Sequence, residues 1–106
     1  MYRGTDKGER IAYYQAKSDF KLKDYILAGH RFSQFYRSYP NSEYSEETQF
    51  LSAYCNYKLS PKWSLDQRDT KKAIRSLQLF AIDQPESARI DSCNLLLDEL
   101  RFKLEL

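Results

Sequence analysis

Reactive side chains at workable spacing are scarce in this chain. The two cysteines, Cys55 and Cys93, form no CxxC pair and have no histidine cluster around them, so they offer no tetrahedral metal site. They read as two buried thiols, with a single disulfide as the alternative in an oxidising compartment. His30 is the only histidine, and no second ligand stands at helical spacing from it, so neither a metal nor another cofactor is expected. No Ser/His/Asp set and no Gly-rich phosphate loop is visible, and the carboxylates fall on solvated faces or at helix starts. A non-enzymatic role follows, with no catalytic residue to nominate. Lys71, Lys72 and Arg75 read as the solvated face of a helix, with a phosphate or lipid-headgroup contact as the alternative.

What the chain does carry is rings. Of its 106 residues, nine are tyrosine, six phenylalanine and one tryptophan, and a ring bearing a hydroxyl suits a half-wet groove or the rim of a core. The net charge of +2 is too small to point to nucleic acid. Residues 1–40 carry eight Lys/Arg against four Asp/Glu, and the remainder nine against eleven, an asymmetry too weak to change that. No apolar run reaches the roughly 18 residues of a membrane span, and no signal peptide is visible.

The elements that must position the rings are helices. Three glycines and three prolines in a chain that is 30% charged leave little room for the tight turns of a sandwich or barrel, so the fold class is all-α. Tyr13, Ala16 and Phe20 share one face of a first helix over about 5–22, with Thr5, Asp6 and Glu9 as cap residues. After a corner at 21–25, Tyr25, Ala28, Phe32, Phe35 and Tyr39 mark a second helix, ended by Pro40. Ser42 is placed to cap a third helix, with Glu43, Glu46 and Glu47 in its first turn and Phe50, Ala53 or Tyr54, and Tyr57 along it. Pro61 ends that helix, and Ser64-x-x-Gln67 offers a new capping box. A fourth helix carries Ala73, Ile74, Leu77, Phe80 and Ala81. A fifth starts near Ser87, with Ile90, Leu97 and Leu104 on one flank and Leu95 and Phe102 on another, so both flanks call for partners.

The stretch "RSYPNSEYSEE" at 37–47 returns as "AIDQPESARID" at 81–91. Ala28 lies twelve residues before Pro40 and Ala73 twelve before Pro85, Phe32 matches Leu77 and Phe35 matches Phe80, and Ala16 lies a further twelve before Ala28. Small residues at these positions let two helices approach closely, and the proline turns the chain into the next pair. This is the spacing of the tetratricopeptide repeat, an α-α solenoid of antiparallel helix pairs. One repeat spans 5–40, a second with about eight extra residues spans 41–85, and 86–106 is the first helix of a further one. Together they make one region over 1–106.

Local wording narrows the resemblance. "FYRSYPNSEYSEETQFLSAYCNYKLSPKWSLDQ", "KAIRSLQLF" and "CNLLLDELRFKLE" resemble the central region of the BamD family, lipoproteins of the machinery that inserts β-barrel proteins into the bacterial outer membrane. The "SPKWSLDQ" insertion is the most distinguishing part, since ordinary tetratricopeptide arrays lack it. The resemblance implies a scaffold at the periplasmic face of the outer membrane. Its expected partners are a BamA-like barrel, other assembly subunits and unfolded barrel proteins, with membrane attachment only through a lipid anchor that this chain does not contain. The family's lipobox cysteine and its first and final repeats have no counterpart here, so activities of those ends are not carried over. A cytosolic tetratricopeptide adaptor recognising peptide tails is the alternative.

Tetratricopeptide arrays bind extended peptides on the wall made by the first helix of each pair. By that resemblance Tyr13, Lys17 and Phe20 share a groove with Phe50, Tyr54, Tyr57 and Lys58. Rings interleaved with Lys17, Lys21 and Lys58 suit an aromatic-rich segment ending in a carboxylate, while packing between helices is the competing use of each ring. Trp63, in the insertion, reads either as a contact point for a partner or as a lid over its own hairpin.

Overall fold

A computed structural model of the chain describes residues 5–60 and 68–105, with five helices: α1 (Thr5–Lys21), α2 (Tyr25–Ser38), α3 (Ser45–Leu59), α4 (Arg68–Asp83) and α5 (Ile90–Glu105). Each packs chiefly on its neighbours in sequence, α1 on α2, α2 on α3, α3 on α4 and α4 on α5. The result is the all-α, solenoid-like array that the spacing predicts. Its radius of gyration of 14.4 Å exceeds the roughly 13 Å of a compact globule of about 100 residues, and its long axis spans 52 Å. Among the described residues, no helix is long and apolar enough to cross a membrane.

The small residues sit where close helix approach needs them. Ala16, Ala28, Ala53 and Ala73 are all buried. Gly29 brings α2 against α3 so tightly that a β-carbon there would lie 3.1 Å from Cβ of Cys55. Two apolar clusters follow: Ala16, Ala28, Phe32 and Cys55 in the first pair of helices and its border with α3, and Ala53, Ala73, Ile74, Leu77, Phe80, Cys93, Leu97 and Leu100 in the second. Cys55 and Cys93 are unpaired and buried. Burial pushes the Cys55 thiol up to about 12 and raises Cys93 as well, and Cys93 donates to the Leu77 carbonyl at 3.2 Å. Of the two sequence readings, buried thiols describe this arrangement.

The α1–α2 link closes by backbone alone. Lys23 adopts φ 63°, its N–H donates to the Phe20 carbonyl and that of Asp24 to Asp19, both at 3.0 Å. These are the paired bonds of a left-handed helix stop. Asp24 then accepts from the Leu27 N–H at 3.2 Å and opens α2.

The two proline corners match bond for bond. Tyr39 N–H donates to Phe35 carbonyl, Ser42 to Tyr39 and Ser45 to Ser42; in the second corner Gln84 donates to Phe80, Ser87 to Gln84 and Ile90 to Ser87. Here one expectation is corrected. Ser42 does not cap α3, whose N-cap is Tyr44 with no side-chain cap bond. The Ser42 hydroxyl instead accepts from the Tyr44 N–H at 3.0 Å and donates to Glu9 on α1. Ser87 repeats this, accepting from the Arg89 N–H at 3.0 Å and donating to Glu46 on α3 at 2.5 Å, so α5 begins at Ile90 rather than near Ser87. Each serine latches its corner to the first helix of the preceding pair, which satisfies the hydroxyl and a loop N–H together.

The terminal helices each leave an apolar face uncovered among the described residues. On α5, Leu95 is 67% and Phe102 62% exposed, while the Leu97 flank packs on α4. On α1, Ile11 and Tyr14 are exposed, whereas Thr48 and Leu51, which occupy the same positions on α3 when Ala16 is laid on Ala53, are buried or packed against the first cluster. The Ser64–Gln67 capping box, Trp63 and the side chains of Thr5, Asp6 and Leu104 lie outside the described residues.

Candidate peptide-binding surface

Seven of the eight nominated residues come together as one band across α1 and α3; the eighth, Trp63, lies outside the described residues. Phe20 meets Tyr54 with ring centroids 5.8 Å apart, Tyr54 lies 5.6 Å from Tyr57, and Phe50 lies 6.5 Å from Tyr54 in a stacked pose. The helical three- and four-residue steps put Phe50, Tyr54 and Tyr57 on one side of α3. Phe20 shares that side of α1.

The rings differ in how much is left for a ligand. Tyr13 is only 7% exposed; it stacks on Tyr44 at 4.1 Å and lies 6.2 Å from Phe35, so its ring serves internal packing. Phe20 packs on Tyr25 and Phe32 and Phe50 on Phe80, each edge to face. Tyr54 and Tyr57 remain half-buried, and Lys58 is exposed. The Lys58 ammonium lies 5.9 Å from the Tyr25 ring centre and 6.0 Å from Tyr54, at the reach of a cation–π attraction.

Glu47 organises the other end of the band. Tyr13 donates to both of its oxygens at 2.8 Å, and Lys17 donates to one at 2.9 Å, tying α1 to α3. Burial pushes the Glu47 carboxyl up, but the hydrogen bonds from Lys17 and Tyr13, with the Lys17 charge, outweigh it and hold it below the usual carboxylate range. Tyr13 is driven well above an ordinary phenol by burial and by its bond to Glu47. Lys17 also sits 5.7 Å from the Tyr13 ring centre, so its charge is already engaged. At the far end Tyr57 donates to Glu99 of α5 at 2.5 Å, and that bond, helped by burial, raises its hydroxyl to about 12.

The surface can therefore offer two tyrosine faces, the Tyr54 hydroxyl and the Lys58 ammonium, while the Tyr57 hydroxyl is given to Glu99. Three participants escape a reading of spacing alone: Tyr44, Tyr25 and Glu47. Glu47 looks like helix-dipole charge in the sequence, and only the approach of α1 to α3 gives it partners. Among the described residues no group of three or more His, Cys, Asp or Glu side chains is placed to hold a metal ion. No protein-family model matches the chain, and no curated protein matches its sequence.

Proposed function

We propose that this chain is a non-enzymatic scaffold segment of a BamD-like lipoprotein of the outer membrane β-barrel assembly machinery, holding other assembly subunits and segments of unfolded barrel proteins. The observation that carries the reading is the ring band of α1 and α3 with Lys58 over its exposed end. The strands of barrel proteins are rich in rings, and a terminal aromatic residue with its carboxylate would set a ring on Tyr54 and Tyr57 and a charge near Lys58. The wording of "SPKWSLDQ" and its flanks supports the family.

The full-length protein, used as bait in envelope extracts, should recover a barrel-type partner; recovery of soluble cytosolic proteins alone would sink the reading. In a second measurement, a peptide ending in phenylalanine with a free carboxylate should bind the chain and lose affinity with Tyr54→Ala. Unchanged binding at unchanged stability would remove the band from the mechanism. The second reading is a cytosolic adaptor for peptide tails. A gene start without a signal peptide and lipobox cysteine would decide for the adaptor.

A further inference from the structure

Beside the ring band lies a cavity of about 490 Å³ at the junction of α2, α3 and α4, with Ser33 and Arg37 of α2, Ser52 and Asn56 of α3 and Lys72 of α4 in its lining. Of the band and its neighbours, only Tyr25 reaches it. Its origin is visible in the internal correspondence of the chain. Laying Pro40 on Pro85 carries α2 onto α4 and α3 onto α5, and places Gly29 on Ile74 and Ser52 on Leu97. Ile74 and Leu97 are buried members of the second apolar cluster. At the α2–α3 junction the same two positions hold a hydrogen and a hydroxymethyl group. Gly29 lets α2 close on α3, where a β-carbon would lie 3.1 Å from Cβ of Cys55, while the short Ser52 side chain leaves room at the position that Leu97 fills in the second cluster.

The walls of this space are not neutral. Arg37, at the position of the exposed Ile82, and Lys72 of α4 edge it, both solvent-exposed. Neither forms an ion pair with a described residue, and no Asp or Glu is among the described lining residues. Ser33 and Ser52 supply hydroxyls. Asn56 donates its amide to Ser76 at 2.8 Å, which leaves its carbonyl oxygen as an acceptor. Tyr25, Ile26 and Leu59 add apolar surface to one side. A roomy pocket edged by two exposed cations that have no ion-pair partner among the described residues, with several neutral hydrogen-bonding groups and an apolar wall, is suited to a carboxylate carried on an apolar stem.

We infer that this cavity, with Ser52 where the second junction has a leucine, is a second recognition site which takes a carboxylate-bearing peptide segment of a partner protein, with Arg37 and Lys72 on the carboxylate. The volume suits a side chain with part of its backbone rather than a bare inorganic anion. The site stands apart from the proposed barrel-assembly role and would serve any partner with this chemistry.

The test uses the whole chain and three fluorescent short peptides of leucine and one variable residue. One carries glutamate with an amidated end, one glutamine with a free terminal carboxylate, and one glutamine with an amidated end. Binding of either carboxylate peptide but not of the third supports the inference, and which one binds tells whether the carboxylate is a side chain or a chain end. Arg37→Gln with Lys72→Gln should weaken that binding by about tenfold or more. Ser52→Leu, which restores the residue of the second junction, should abolish binding while raising the melting temperature, so a loss cannot be put down to unfolding. Undiminished binding by Ser52→Leu, no binding of either carboxylate peptide, or displacement of the peptide by equimolar inorganic phosphate would each overturn the assignment.

Discussion

The α2–α3 and α4–α5 junctions are laid out on one backbone plan and filled in opposite ways. In the second, Ile74, Leu77, Phe80, Cys93, Leu97 and Leu100 close the space between the helices; in the first, Gly29 brings α2 close to Cys55 of α3, Ser52 stands where the second has Leu97, and Arg37, His30 and Lys72 edge the space left beside it. The corner that precedes α3 and the one that precedes α5 nonetheless share their backbone hydrogen bonds and their serine latch. Corners set where helices lie, and side-chain volume sets whether the gap between them is core or cavity.

The comparison breaks most visibly at Leu97. Leu97→Ala would open in the second junction the kind of void the first already has, and should cost about 2–5 kcal/mol by urea denaturation; a cost near zero would mean that α5 adds little to the folded array. Next comes Glu47, which joins α1 to α3 and whose equivalent on α5 is the exposed Ser92. Glu47→Gln should lose about 1–3 kcal/mol at neutral pH. The carboxyl is held below its unfolded value, so its contribution is present above the unfolded pKa and fades as pH falls through the folded one. Parent and variant should therefore converge in acid, and a gap independent of pH would refute the linkage.

Smaller effects sharpen the likeness of the corners. Ser42→Ala and Ser87→Ala should each cost about 0.5–1.5 kcal/mol and by similar amounts; only the second also leaves Arg89 in place on Glu46 at 3.0 Å, so its loss should be the more salt-sensitive. Smallest is Lys23→Gly, which relieves a left-handed backbone at the α1 stop and should gain roughly 0.5–1 kcal/mol. A loss there would mean that the Lys23 side chain has a role the backbone does not show.

Much of the fold was legible in the sequence because it rests on period. Ala16, Ala28, Ala53 and Ala73 recur at the spacing that helix pairs demand, and each is buried. Pro40 and Pro85 mark the corners for the same reason. What spacing could not reveal is contact across pairs. Ser42 looks like a cap because a serine before a run of glutamates usually is one; its actual partner, Glu9, is brought near by the α1–α3 approach. The candidate site divides likewise. Tyr54, Tyr57 and Lys58 stand together as periodicity predicts, but the burial of Tyr13 depends on Tyr44 and Phe35, which belong to other elements. Part of the cavity was in principle readable, since Ser52 opposite Leu97 can be seen by sliding the chain over itself; the close approach at Gly29 needs the structure.

Because each helix packs chiefly on those next to it in sequence, few contacts require the chain to close a long loop before being repaid. Such a low contact order points to folding in microseconds to milliseconds, with any one helical pair able to start it and its neighbours added in turn. The same economy of distance implies graded protection in hydrogen exchange, greatest in α2, α3 and α4, each of which has a helix on either side, and least in the terminal helices α1 and α5.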